Sequence, residues 1–290
     1  MNGFLNLYKP AGLTSHDCVS RVRRRLGLKR VGHGGTLDPA ATGVLPIAVG
    51  RATRLLQFLP EGKAYRATVR FGVQTTTDDL EGEVIASKAA PALTLEAVAQ
   101  QLSKFQGTIQ QIPPKYSAIQ VGGRRLYEMA RAGEAVDVPV RTVEIYGIEV
   151  LGWTPDEFPE LTAAIACGSG TYIRAIARDL GELLGVGGTL AALERTKSGG
   201  FQLDTTTALD EVTPEALLSP AIALGHLSAV ALTAEQAIDW GHGRAVVVPE
   251  PVESDYVRVT GADSFLGVAQ PSLEEDGVRL RPKVVWPTSL

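Results

Sequence analysis

The stretch Val31-Gly32-His33-Gly34-Gly35-Thr36-Leu37-Asp38-Pro39-Ala40-Ala41-Thr42-Gly43-Val44-Leu45-Pro46-Ile47-Ala48-Val49 joins a glycine-rich loop to a continuous apolar run. The run from Val44 to Val49 predicts a short buried strand. One carboxylate, Asp38, stands between loop and strand. Gly34 and Gly35 open backbone angles closed to other residues, so a ligand or nucleotide could approach the main chain there. Pro39 restrains Asp38 to an extended or turn conformation, which fixes where its carboxylate points. An acid held rigidly at the mouth of a core strand suits catalysis. The same residues also describe a common Asx-turn aspartate before a proline, and nothing local forces catalysis.

Immediately upstream lies Arg21-Val22-Arg23-Arg24-Arg25-Leu26-Gly27-Leu28-Lys29-Arg30. The formal net charge is −4, but its distribution is uneven. Residues 1–75 hold twelve Lys/Arg against three Asp/Glu, whereas residues 201–290 hold five against thirteen. Clustered positive charge beside a candidate site suggests a polyanionic substrate, because phosphate contacts supply most nucleic-acid affinity. Without the neighbouring motif, the same decad reads as a solvated helix face.

Further out, Ser15-His16-Asp17 offers an N-cap, and Cys18, Val22 and Leu26 recur on one face of a helix closed by Gly27. Ala52 to Leu59 and Leu95 to Phe105 also read as helical. Ala64 to Gly72 alternates strictly, with Tyr65, Ala67, Val69 and Phe71 on one side, so it is a half-buried strand. Asp78-Asp79-Leu80-Glu81-Gly82 is an acidic turn, followed by a strand at Glu83-Val84-Ile85. Pro113 to about Arg141 is irregular and basic, with a helix around Leu126 to Arg131 and a strand from Val138 to Val150. Leu161 to Cys167 is an apolar strand, after which Thr171 is expected to cap a helix burying Ile173, Ile176, Leu180 and Leu183. Strands that alternate irregularly with few helices favour a mixed sheet. Short β-like runs beyond Leu227 indicate a small barrel or sandwich, with a boundary near residue 225.

The whole chain of 290 residues, 44% hydrophobic and 21% charged, describes a soluble globular protein with a sizeable core. Met1 to Leu5 lacks the charged start and apolar run of a signal peptide, and no run of about 18 apolar residues suggests a membrane span. Cys18 and Cys167 are far apart and predict free thiols in a cytoplasmic protein. The four histidines lack metal-ligand spacing, so no metal is expected.

Four segments now fall in order: Leu7-Tyr8-Lys9-Pro10-Ala11-Gly12-Leu13-Thr14-Ser15, Gly32-His33-Gly34-Gly35-Thr36-Leu37-Asp38-Pro39, Tyr65-Arg66 on a strand, and Gly170-Thr171-Tyr172-Ile173-Arg174 opening a helix. Together they resemble the bacterial TruB family of tRNA pseudouridine-55 synthases, from about residue 3 to 210. Tyr256 to Val259 and Phe265 to Val268 make the C-terminal part similar to the PUA-type RNA-binding domain of bacterial members. Its acidic balance departs from extensive phosphate contact. The resemblance implies an α+β pseudouridine synthase fold with a central mixed, largely antiparallel sheet over residues 1–225. It also implies an RNA-binding insertion at about 111–143 and a small PUA-like β-barrel over 226–290.

The implied reaction detaches uracil from C1′ of uridine 55 in the T loop of tRNA and rejoins it through C5, with no cofactor or metal. The target nucleotide must be flipped out of its stack. By the same resemblance Asp38 is the nucleophile, attacking ribose C1′ or base C6. Arg174 is its partner arginine, and Tyr65 stacks on the target base and assists proton removal. Covalent carboxylate catalysis demands an ionised group in a water-poor pocket, hence an adjacent cation. Leu193 walls the pocket, and His33 packs into the loop vacated by flipped bases, with room left by Gly34 and Gly35. Lys9, within the first matched segment, is assigned to substrate binding. Arg23, Arg24, Lys29 and Arg30 are assigned to phosphates by charge alone. The implied partner is the T stem-loop of tRNA, bound by a monomer that needs no protein partner or membrane. Two other readings stay open: a non-catalytic tRNA-binding or folding chaperone, and a related rRNA pseudouridine synthase.

Overall fold

Strict alternation builds the central sheet. In the strand Lys63–Phe71, Tyr65, Ala67, Val69 and Phe71 are buried, while Arg66 points to solvent. The run after Asp38 forms the strand Thr42–Val49, whose residues from Gly43 onward are all buried. Leu45, Ile47 and Val49 join one core cluster, and Val44 and Ala48 join another, so apolar residues on both faces are satisfied.

A computed structural model of the protein describes residues 1–117, 120–121, 124–125, 129, 138–249, 252–262, 264–275 and 277–287. Among these, nine strands form one sheet. Its main path runs Gly3–Lys9, Thr42–Val49, Gly188–Ser198, Lys63–Phe71, Glu160–Cys167, Arg141–Thr154 and Gly107–Gln111. Pairing is antiparallel except between Thr42–Val49 and Gly188–Ser198, where Glu194 faces Thr42 in parallel register. The sheet is therefore mixed and largely antiparallel.

Two of the helices that cover it position the site. Ser15–Leu26 buries Cys18, Val19, Val22 and Leu26 against the strands at Gly3 and Thr42. Its N-cap is Thr14 rather than the expected Ser15. Thr14 and Asp17 form a reciprocal capping box, which leaves the Ser15 hydroxyl free for another partner. Gly27 ends the helix in the left-handed conformation, with φ 64°. The second helix, Ile173–Leu183, buries Ile173, Ile176 and Leu180, while Leu183 is 46% exposed instead of buried. Thr171 does not cap it. Tyr172 is the N-cap, and the Gln111 amide brackets that residue, accepting from its N–H at 2.8 Å and donating to its carbonyl at 3.0 Å. A Cβ on Gly181 would collide with the backbone of Gly187 and Gly188, so a glycine lets this helix lie directly on the next strand.

Other expectations need smaller corrections. Gly50–Phe58 is 3₁₀ rather than α, and the helix at Leu95 ends at Leu102 before a 3₁₀ turn. The helix expected around Leu126 to Arg131, and much of the 111–143 insertion, fall outside the described residues. A second, five-stranded sheet runs Ala229–Ala231, Val257–Thr260, Phe265–Glu274, Gly277–Val285 and Val246–Val248. Residues 203–225 return to the first strand, where Thr207 bridges Leu7 and Leu218 bridges Phe4. The two sheets share a core: Phe4, Phe58 and Leu224 cluster with Val268 and Val284. The rings of Phe58 and Tyr256 meet edge-on, 5.0 Å apart.

Candidate active site

Asp38 sits at the end of a loop that four buried or half-buried groups hold in place. The Ser15 hydroxyl donates to the Leu37 carbonyl at 3.1 Å and accepts from the Leu37 N–H at 2.9 Å. The Lys9 ammonium donates to the carbonyls of Pro10, Pro39 and Ala41, at 3.0, 3.0 and 2.6 Å. The Arg195 guanidinium donates to Gly35 at 3.0 Å, Thr36 at 3.3 Å and Val44 at 2.7 Å. The backbone of residues 35–41 is thus gripped on both sides of Asp38.

The fourth group, Arg174, meets the carboxylate itself. It is the second residue of the helix Ile173–Leu183 and is 6% exposed. Its Nη2 lies 3.1 Å from Asp38 Oδ2 and donates to the Tyr116 carbonyl at 3.0 Å. Its Nη1 lies 3.4 Å from Asp79 Oδ2 and donates to the Thr77 carbonyl at 2.9 Å. Asp78, in the same turn, adopts φ 62° and pairs with Arg178 at 2.9 Å. A non-glycine residue in the left-handed region stores strain, which the ion pair offsets. The acidic turn read in the sequence is the counter-ion set for the helix.

Asp38 opens into a cavity of about 560 Å³. Thr36 and Leu37 form one wall, Thr171 to Arg174 the other, and Tyr65, Lys63 and Leu193 also line it. A second, smaller cavity of about 270 Å³ shares Asp38, Arg174 and Leu193 with it. Loss of water pushes the Asp38 carboxyl above its usual range; Arg174 pulls the other way, and Asp79 adds to the rise. Burial also pushes the Tyr65 phenol up, against the pull of the neighbouring Arg195 guanidinium. A carboxylate with one charged partner in a sheltered cavity can act as a nucleophile.

Asp38, Tyr65, Arg174 and Leu193 are therefore brought together, although they lie on a loop, two strands and a helix. Lys9 is not. It is 0% exposed and its donors face three carbonyls, so its assignment to substrate binding is corrected to holding the loop. Arg23 is half-buried, and its Nη2 donates to the Val31 carbonyl at 3.0 Å, which ties helix to strand. Arg24, Lys29 and Arg30 are exposed, and Arg30 Nε donates to Thr53 Oγ1 at 2.7 Å. His33 lies on the short strand Val31–His33, half-buried and outside the lining of the cavity. Burial pushes its imidazole down, towards the neutral form, and its buried Nδ1 has no partner among the described residues. Gly34 does not leave the expected room: a Cβ there would meet Leu56 and Leu59. Only Gly35, at φ +80°, needs glycine for its backbone.

Sequence reading missed Asp79, Arg195, Lys63 and Ser117. Asp79 was visible only as a turn residue. Arg195 and Lys63 come into view only with the strand register, in which Arg195 pairs with Tyr65, and Lys63 precedes it by two positions on the same face. Among the described residues, no group of three or more His, Cys, Asp or Glu could hold a metal, and no helix is long and apolar enough to cross a membrane. Cys18 and Cys167 are buried free thiols.

Comparison with known proteins supplies the family. Residues 23–173 match the model of the TruB family pseudouridylate synthase N-terminal domain. Residues 174–237 match the tRNA pseudouridylate synthase B C-terminal domain, and residues 228–285 match the model described as pseudouridine synthase II TruB, C-terminal. The tRNA pseudouridine synthase B of Microcystis aeruginosa is 54% identical over 98% of this chain and 99% of its own. That of Trichormus variabilis is 57% identical over 93% of this chain and 94% of its own. Among solved structures, a chain of a Cbf5–Nop10–Gar1 complex is 28% identical, with a TM-score of 0.74 over 98% of this chain and 84% of that one. The fold is the α+β pseudouridine synthase fold, with the five-stranded PUA-like sheet in the region of the C-terminal match. With its Asp38–Arg174 cavity on that fold, the chain belongs to the TruB family of pseudouridylate synthases.

Proposed function

We propose that this protein isomerises uridine 55 in the T loop of tRNA to pseudouridine, with Asp38 as nucleophile. The observation that carries the assignment of Asp38 is its 3.1 Å contact with Arg174 at a cavity also lined by Tyr65 and Leu193. Its relatives named tRNA pseudouridine synthase B support the reaction and the substrate. In that reaction the C1′–N1 bond breaks, the uracil turns, a C1′–C5 bond forms, the C5 proton leaves and N1 takes up a proton. Asp38 bonds covalently at ribose C1′ or base C6 in between, and Arg174 holds it ionised until then. Tyr65 stacks on the flipped base and assists loss of the C5 proton, and Leu193 closes the apolar side. His33 packs into the loop that the flipped bases leave.

Residues 1–225 form the catalytic part, in which the segment at about 111–143 contacts the T arm. Residues 226–290 form an RNA-binding unit. Arg24, Lys29 and Arg30 meet phosphates. The protein acts as a monomer in the cytoplasm without an obligatory protein partner. Tritium release from a T-arm stem-loop labelled at uridine C5 tests the assignment. We expect release by the wild type and none by Asp38→Ala, with binding retained. Release that survives in Asp38→Ala would remove Asp38 from the nucleophile's role. Binding and refolding of tRNA without release by the wild type would instead favour a non-catalytic chaperone.

A further inference from the structure

Lys9 and Lys63 carry the same ammonium on opposite terms. Lys9 is 0% exposed and spends its donors on three loop carbonyls. Lys63 opens the strand Lys63–Phe71, half-buried, and lines the cavity that Asp38 enters. Among the described residues its ammonium has no hydrogen bond and no carboxylate within ion-pair distance. It is not sealed off either, since Nζ keeps accessible surface. A Cβ on Gly35 would meet Lys63 Cε and Arg195 Nη1 at 3.4 Å each, and Lys63 Nζ at 3.5 Å. Two cations therefore crowd one point of the loop, three residues before Asp38. Loss of water and the charge of Arg195 both push the Lys63 ammonium below its usual range. A half-buried charge held beside a like charge costs free energy unless an anion meets it.

The lining offers Lys63 no free anion. Asp38, its one carboxylate among the described residues, is engaged by Arg174. Arg174, on the other wall, is in turn saturated by Asp38, Asp79 and two carbonyls. Arg141, also on the lining, is exposed and keeps its water. Lys63 is thus the sheltered cation with donors to spare. A nucleotide flipped into the cavity carries a phosphodiester on each side of its sugar. An ammonium meets a phosphate oxygen as a point charge, with three donors to give it. We propose that Lys63 binds a backbone phosphate flanking the target uridine, which pins the sugar of the flipped nucleotide beside Asp38. This rests on the reading of the cavity as the seat of that uridine. Lys63 touches the substrate but none of the reacting atoms.

Tritium release from T-arm stem-loops in which a neutral methylphosphonate replaces the phosphate 5′ or 3′ to the target uridine tests this on the full chain. On the natural stem-loop, Lys63→Gln should raise KM about tenfold, the worth of one hydrogen bond between charged groups, with kcat within about threefold. Lys63→Arg should restore most of the loss, because it brings the charge back. One of the two neutralised RNAs should cost the wild type a similar factor and Lys63→Gln less than about twofold, since its partner is already gone. Equal losses in both proteins on both RNAs would overturn the proposal while leaving the reaction in place. So would a fall in kcat with KM unchanged, which would put Lys63 in the chemistry instead. No release from the natural stem-loop by the wild type would remove the reading of the cavity, and this role with it. If Lys63→Gln does not fold, acetylation of the wild type by an N-hydroxysuccinimide ester at saturating RNA, mapped by peptide mass, decides. The natural stem-loop should slow acetylation of Lys63 at least about fivefold more than one neutralised RNA does, because a phosphate keeps the amine protonated. Equal protection by all three RNAs would overturn the proposal.

Discussion

Arg21, Arg24 and Arg25 stand exposed along the helix Ser15–Leu26, whereas Arg174 and Arg195 are 6% and 0% exposed around Asp38. The residue type is the same, but the surroundings reverse its use. Exposed cations lose little water and act on a phosphate backbone through long-range, salt-screened attraction. Buried ones keep fixed partners and transmit geometry, because each lost hydrogen bond leaves an unsatisfied group. Charge near the site thus divides into a population that attracts the substrate and one that shapes the cavity. Lys9 was assigned from sequence to the first and belongs to the second.

Mutations should separate the two populations sharply. The largest effect expected is in Asp38→Ala, with pseudouridine formation down by at least about 10⁴-fold in single-turnover assays. Arg174→Lys, which cannot span Asp38, Asp79 and two carbonyls with one fork, should lose about 10²–10³-fold in kcat. The pH profile refines that result. The Asp38 carboxyl is raised above its ordinary 3.8, so the active ionised form is lost as pH falls through that higher value. The acid limb of kcat/KM, which reports the free enzyme, should therefore lie above pH 3.8. Arg174→Gln removes a pull that opposes the rise, and should move the limb to still higher pH.

Lys9→Met should act on stability. It removes the donor to the buried Ala41 carbonyl, while the Pro39 carbonyl keeps the Gly12 N–H, so the cost is about 1–3 kcal/mol, read as a lower midpoint of denaturant unfolding. The salt dependence of RNA binding should not change, and a change would return Lys9 to the phosphate-binding group. The mildest change expected is in Arg24→Ala and Lys29→Ala. Each should leave kcat within about twofold and lower the slope of log affinity against log salt by about one.

Much of this arrangement is legible in the sequence. The alternation in Lys63–Phe71 and the apolar run after Asp38 settle two central strands, because period-2 burial leaves a direct trace in sequence. The meeting of Asp38, Tyr65 and Arg174 is not a matter of spacing; matched motifs pointed to it, and the sheet supplies it. The N-cap shift from Ser15 to Thr14 turns on a single reciprocal pair, and it releases Ser15 to clamp Leu37. Lys9, Arg23 and Arg195 were illegible for one reason. A cation is exposed by default, and only the fold reveals the carbonyls that draw it inside.

The shared core between the two sheets bears on how the protein is made. Phe4 is synthesised 280 residues before Val284, yet both belong to one apolar cluster. The cavity is finished earlier, since its lining ends at Leu193. A nascent chain can therefore close its active site while Phe4, Phe58 and Leu224 still lack Val268 and Val284 to cover them. Until Gly277–Val285 is released, such a chain has a closed reaction chamber and a bare adhesive flank, and the interval between them is its window for aggregation on the ribosome.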